Sequence, residues 1–215
     1  MKLALAFFAV SAFAQPAKIV LVGDSTVNDE GGWGPGFRAA MGDQFAIVNL
    51  ARSGRSSKSF RSEGHWANAL AERPAFVLIQ FGHNDVPGKG PERETDASST
   101  YRANLAQFID EARAIGAKPI LVTSIVRRGF TPDGKFRPDS LVPYVEAVHV
   151  VAREKSVAVM DLYTRTREQA VALGPEGAKE IGRVTPDGKQ DNTHLGSKGQ
   201  ESIGRMAAEE FDRIR

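Results

Sequence analysis

Apolar residues along this chain fall into two kinds of run. Five are short and almost continuous, rich in Val and Ile: Ile19 to Val22, Phe45 to Leu50, Phe76 to Phe81, Pro119 to Ile125 and Val157 to Leu162. Strands read this way when both faces are buried in a parallel sheet. Between them the spacing changes to a helical period. Tyr101, Leu105, Phe108, Ile109, Ala112 and Ile115 mark one long amphipathic helix, and Gly116 just past it suits a C-cap. Leu141 to Glu154 predicts another, and Ile203, Met206, Ala207, Phe211 and Ile214 form the apolar face of a last one. Strands alternating with helices imply βαβ units and an open, doubly wound sheet.

Two segments lack either period, Gly82 to Thr95 and Gly174 to Gly196, and both read as strand-poor loops. The pentapeptide TPDGK occurs at Thr131 to Lys135 and again at Thr185 to Lys189, and reads as two Pro-Asp-Gly turns rather than a repeat. No composition break divides the chain, so residues 15–215 are expected to form one domain. Residues 1–14 are expected to be a signal peptide: Lys2, the apolar run Leu3 to Val10, then Ala12-Phe13-Ala14 as the cleavage end. That run is too short to span a membrane. The expected location is therefore periplasmic or extracellular, with no membrane partner.

Composition narrows the chemistry. The formal net charge of +2 is too small for the electrostatic footprint of a nucleic-acid binder. With no cysteine, thiolate metal sites and cysteine nucleophiles are excluded. The four histidines are scattered without metal-ligand spacing, so neither a metal nor another cofactor is expected.

In open α/β sheets, ligands bind beyond the carboxyl ends of the strands. Gly23-Asp24-Ser25-Thr26 follows the first strand, Ser53-Gly54-Arg55 the second and Gly82-His83-Asn84-Asp85 the third, while Asp191 and His194 precede the last helix. Together they hold the parts of acyl-transfer catalysis. Ser25 is the candidate nucleophile, His194 the base and Asp191 the residue that orients the imidazole. The backbone N–H groups of Ser25 and Gly54 and the Asn84 amide are candidates for an oxyanion hole. Asp24 and Asp85 read as turn-fixing residues, and His149 as structural.

The four ordered blocks GDST, the Gly54 loop, GHND and DNTH resemble those of the SGNH (GDSL-type) hydrolase superfamily, over nearly the whole chain after the leader. That resemblance implies a three-layer α/β/α, flavodoxin-like fold with a five-stranded parallel sheet, and metal-free ester hydrolysis. GDSTV, GWGPGF at 32–37, ARSGRSSKSFRSEGHW at 51–66 and RRGFTPDGKFRPDSLVPY at 127–144 are more closely similar to rhamnogalacturonan acetylesterases. This implies an exported serine esterase acting on an acetylated polysaccharide or oligosaccharide. Acetylated xylan, or a lysophospholipase or thioesterase substrate, is the alternative. A binding module that kept the fold is the non-enzymatic reading; the intact Ser, Gly, Asn, His and Asp set argues against it.

Arg52, Arg55, Lys58 and Arg61 form a basic stretch around Gly54, suited either to a solvated loop or to an acidic polymer. Arg55, Trp66, Arg127 and Arg128 are the expected substrate contacts. Trp33 and Trp66 fit a sugar-stacking face and the core equally well.

Overall fold

A computed structural model describes residues 16–137 and 139–215. The leader expected over residues 1–14 lies outside the described residues. Five strands form one parallel sheet: β1 (Lys18–Gly23), β2 (Ala46–Asn49), β3 (Phe76–Gln80), β4 (Lys118–Val122) and β5 (Val159–Met160), in the spatial order β2-β1-β3-β4-β5.

The central strands β1, β3 and β4 bury both faces, the edge strand β2 is half-buried, and the alternation sorts side chains between two cores. Val20 and Val22 of β1, Val77 and Ile79 of β3 and Leu121 of β4 enter one core. Helices α2 (Ser57–Ser62), α3 (His65–Ala71), α4 (Thr100–Ala114) and α5 (Val142–Lys155) close that core through Phe60, Trp66, Phe108 and Tyr144. Ile19, Leu21, Leu78, Ile120 and Val122 enter the other, under α1 (Gly34–Met41) and α7 (Ser197–Ile214) with Phe37 and Phe211. This is the three-layer α/β/α arrangement that near-continuous apolar strands require.

The fifth strand is much shorter than the run Val157 to Leu162. Asp161 stops it. Its carboxylate accepts from the Thr164 amide at 3.2 Å and from the Thr123 hydroxyl at 3.0 Å, capping helix α6 (Leu162–Glu180). A capping aspartate inside an apolar run thus ends the strand where hydrophobicity alone would continue it.

Helices α1 and α7 cross at glycines. A Cβ on Gly204 would sit 2.3 Å from the backbone carbonyl carbon of Gly36 and from the amide nitrogen of Phe37. No side-chain rotation relieves a backbone clash of that size. Gly204→Ala is expected to destabilise the fold by about 3 kcal/mol. Chemical denaturation of the purified variant checks this, and wild-type stability would show that the helices can part.

The segment Gly174 to Gly196 is not a loop. It holds the end of α6, which breaks at Gly174 before Pro175, and a two-stranded antiparallel hairpin, β6 (Gly182–Val184) and β7 (Gln190–Leu195). The second TPDGK copy closes this hairpin: the Thr185 amide donates to Lys189 O at 2.9 Å. The first copy makes the same turn, with the Thr131 amide 2.8 Å from Lys135 O, and closes the pair Phe130–Phe136. Strand β7, QDNTHL, has no alternating apolar face. Turn chemistry and ladder bonds make it a strand, which is why periodicity missed it.

Candidate active site

Strand β1 lies between β2 and β3, so the loops after these three strands meet at one edge of the sheet, where the strand order reverses. The β6–β7 hairpin reaches over that edge, tied down by the Leu195 amide on Gly31 O at 2.8 Å. Ser25, Gly54, Asn84 and His194 line one cleft of about 350 Å³, together with Asn28, Glu30, Gly31, Ser53 and Arg183.

His194 Nε2 lies 2.8 Å from Ser25 Oγ, and Nδ1 lies 2.7 Å from Asp191 Oδ2. An ionised carboxylate only accepts, so Nδ1 carries the ring proton and Nε2 is left to accept from the serine hydroxyl. The other Asp191 oxygen accepts from the amides of Thr193 at 2.8 Å and His194 at 2.9 Å. Burial acts to raise the Asp191 carboxyl. The two amides and the His194 ring outweigh it and hold the pKa at about 2, below the usual 3.8. A carboxyl lowered on folding stabilises the native state above its unfolded pKa and loses that contribution as pH falls through the folded one. The stability gap between wild type and Asp191→Asn is therefore expected to shrink from about pH 4 to pH 2, by on the order of 1 kcal/mol after solvent screening. Acid denaturation curves of both proteins check this.

Gly54 has φ 78°, in the left-handed region, and a side chain there would carry backbone strain. The Asn84 amide donates one hydrogen to Arg55 O at 3.2 Å, which anchors it and leaves the second hydrogen for the cleft. Asp85 holds this loop to the start of α2. It is fully buried and accepts from the Ser57 hydroxyl at 2.6 Å, the Ser57 amide at 3.1 Å and the Thr95 hydroxyl at 3.1 Å; burial outweighs these and pushes its carboxyl up to about 7. Asp24 Oδ1 accepts from the Thr26 amide at 2.8 Å and the Thr26 hydroxyl at 2.7 Å, fixing the turn that presents Ser25. Both aspartates are turn residues, as the sequence predicts. His83 is buried, and burial drives its pKa well below 6.5, so its ring is neutral.

The GDSL-like lipase/acylhydrolase family matches residues 21–201, a span that contains every residue of this cleft. The chain belongs to that family. It is a carboxylic ester hydrolase. It is 35% identical over 218 residues to the rhamnogalacturonan acetylesterase RhgT of Bacillus subtilis (strain 168), covering 93% of this chain and 91% of that one. It is 32% identical over 198 residues to the probable rhamnogalacturonan acetylesterase YesY of the same strain, covering 88% and 90%. Among solved structures, the Bacillus subtilis protein YxiM superposes with a TM-score of 0.77 at 24% identity, over 92% of this chain and 56% of that longer one. A catalytic mutant of Axe2, an acetylxylan esterase from Geobacillus stearothermophilus, superposes with a TM-score of 0.69 at 18% identity, over 92% and 93%. At those identities the likeness establishes the fold.

Against this family frame, the expected substrate contacts need correction. Arg128 is 5% exposed and faces inward. Its guanidinium donates to the carbonyl oxygens of His194 at 2.7 Å and of Asp191 and Thr193 at 3.3 Å each, and its amide to Asn192 O at 2.8 Å. Burial lowers its pKa to about 10, still charged at neutral pH. Arg128 therefore braces the strand that carries Asp191 and His194 and is not among the residues that line the Ser25 cleft. Arg127 is spent on Asp139 at 3.1 Å, Ser140 Oγ at 2.8 Å and His83 O at 3.2 Å. Trp66 is 4% exposed, edge-on to Phe108 with its Nε1 on Glu111, and Trp33 is fully buried with Nε1 on Gln80 at 2.9 Å. Both indoles are core residues with one satisfied polar atom, not stacking platforms. Arg55 pairs with Glu63 at 2.7 Å and lines a neighbouring cleft.

Two cleft residues escape sequence reasoning. Arg183 lies opposite Asp191 in the hairpin register, with Nη2 3.3 Å from Asp191 Oδ2. Only the pairing of β6 with β7 makes them neighbours. A Cβ on Gly31 would sit 3.1 Å from His194 Cβ, so this glycine gives the imidazole its seat. It stands one position before the GWGPGF stretch.

Proposed function

We propose that this chain is an exported serine esterase that removes acetyl groups from a plant cell-wall carbohydrate, with acetylated rhamnogalacturonan as the substrate. Ser25 Oγ attacks the acetyl carbonyl while its proton passes to His194 Nε2. The Ser25 and Gly54 amides and the Asn84 side chain stabilise the oxyanion. Collapse of the tetrahedral intermediate breaks the bond to the sugar oxygen, which takes the proton from His194. A water molecule, deprotonated by the same imidazole, then hydrolyses acetyl-Ser25 and releases acetate.

The observation that carries this reading is the unbroken chain Ser25 Oγ to His194 Nε2 at 2.8 Å and His194 Nδ1 to Asp191 at 2.7 Å. The carbohydrate reading rests on the two acetylesterase relatives and on the polar lining of the cleft, where Asn28, Glu30, Ser53 and Arg183 stand in place of an apolar acyl channel. Export rests on Lys2, the apolar run Leu3 to Val10 and Ala12-Phe13-Ala14.

The test is acetate release from acetylated rhamnogalacturonan and from acetylated xylan, side by side, with Ser25→Ala as control. Release from the pectic polymer that vanishes in the variant is the expected result. Preference for xylan would move the substrate to another carbohydrate. Release from neither, with rates rising from acetyl to octanoyl esters, would move it to the lysophospholipase or thioesterase reading. For export, a mature N-terminus at Gln15 in the secreted fraction is expected, and an intact N-terminus there would contradict cleavage.

A further inference from the structure

Ser25 and Asn84 each follow a buried titratable side chain that the mechanism above leaves unused. Asp24 precedes the nucleophile and is fully buried; His83 precedes the oxyanion donor and is 4% exposed. Strands β1 and β3 pair in parallel as far as Gly23 and Gln80, so the two turns leave the sheet side by side. Both turns are held on their outer sides. Asp24 O accepts from the amides of Val27 and Asn28 at 3.2 Å each, and Gln80 Nε2 donates to Thr26 Oγ1 at 2.7 Å. Arg127 donates to His83 O at 3.2 Å. The side-chain atoms that face each other are different. Asp24 Oδ2 and both ring nitrogens of His83 have no hydrogen-bond partner, three of the six such buried side-chain atoms among the described residues. Asp24 Oδ2 and His83 Nδ1 stand 3.8 Å apart, beyond hydrogen-bond reach. Unpartnered buried polar atoms cost stability, and three in one place require a reason.

We propose that Asp24 and His83 are a pair of positioning residues, which sets the spacing of Ser25 and Asn84 in the transition state by closing into a hydrogen bond from Nδ1–H to Oδ2 as the oxyanion forms. The inference rests on the serine-esterase reading above and deepens it. Two Thr26 donors on Oδ1 favour an ionised Asp24, against the burial that raises its carboxyl. The His83 ring is neutral, so its Nδ1 supplies the hydrogen. When Ser25 Oγ bonds to the acetyl carbon, the negative oxygen draws the Asn84 amide inward, and His83 moves with it toward Asp24. Hydrogen bonds at active sites are commonly long in the free enzyme and tighten at this stage. An interaction made only in the transition state appears in kcat and leaves KM alone. Acylation and deacylation both pass through an oxyanion, so both slow together when the pair is lost.

The experiment measures kcat and KM for 4-nitrophenyl acetate in wild type, His83→Leu, His83→Asn and His83→Gln, with thermal unfolding of each and Ser25→Ala alongside. His83→Leu fills a similar volume without a donor. It is expected to lower kcat about thirty-fold at nearly constant KM, the size of one hydrogen bond to a charged group. Its unfolding temperature is expected to stay level or rise, because two unpartnered buried nitrogens are removed. His83→Asn puts an amide donor where Nδ1–H stands and is expected to recover most of the lost rate. His83→Gln puts its donor near the Nε2 position and is expected to stay slow. Equal kcat in the Asn and Gln variants would overturn the pairing, and that comparison decides even if the leucine variant does not fold. Wild-type kcat in His83→Leu, or a loss that falls on KM, would overturn it as well. Turnover in Ser25→Ala would bring down the serine mechanism itself, whereas an inactive Ser25→Ala beside a fully active His83→Leu removes only the pair.

Discussion

Ser25→Ala and His194→Ala are each expected to lower kcat by roughly five orders of magnitude, and the double variant by little more than either alone. The reason is that the two groups act in one event. Without the imidazole, the serine hydroxyl keeps its proton; without the hydroxyl, the base has nothing to activate. Neither change should unfold the protein. The side chains are only partly buried and the Ser25 turn is held by Asp24 and Thr26 rather than by Ser25 Oγ, so stability is expected to stay within about 0.5 kcal/mol. Asp191→Asn should cost about ten-fold less, because the amides of Thr193 and His194 still hold an oxygen at that position while the imidazole loses its ionised partner. The check is single-turnover and steady-state kinetics on an acetyl ester, with thermal unfolding of each variant. Wild-type-like turnover in either single variant would end the proposed mechanism.

Arg128→Met is expected to lower kcat about a hundred-fold with KM nearly unchanged. The substitution keeps the side chain's length and apolar stem and deletes the donors to three carbonyl oxygens of β7. Those carbonyls belong to Asp191, Thr193 and His194, so their release lets the acid and the base drift from Ser25. A displacement of about 1 Å is enough for an effect of this size. Deleting a buried charged donor set should also cost about 3 kcal/mol of stability, because the carbonyls lose partners they cannot replace with water. The split between kcat and KM is the decisive measurement. A rise in KM at constant kcat would return Arg128 to the substrate, where sequence reasoning puts it.

The two arginines at 127 and 128 show how the two levels of information divide. Both follow a strand at the ligand-binding edge, and nothing in their sequence context separates a cation that faces solvent from one folded inward. The difference comes from β7, which supplies carbonyls to one and not the other. The same holds for Trp66, whose indole finds Glu111 on α4, forty-five positions away. Gln80 does the same for Trp33. Their aromatic character is local, but the polar partner that makes burial tolerable is not.

By itself, the sequence determined the parallel sheet, the long helices and the ordered blocks that carry Ser25, Gly54, Asn84, Asp191 and His194. Apolar periodicity and turn chemistry act over a few residues, and they act wherever the chain lies. Only the tertiary structure decided that Asp191 and His194 ride on a strand, that Arg183 stands across from Asp191 and that Gly31 seats the imidazole. Each of these depends on which segments meet in space. The β6–β7 hairpin has no hydrophobic period, because turn bonds, a cross-strand ion pair and a buried arginine hold it, and those are long-range facts.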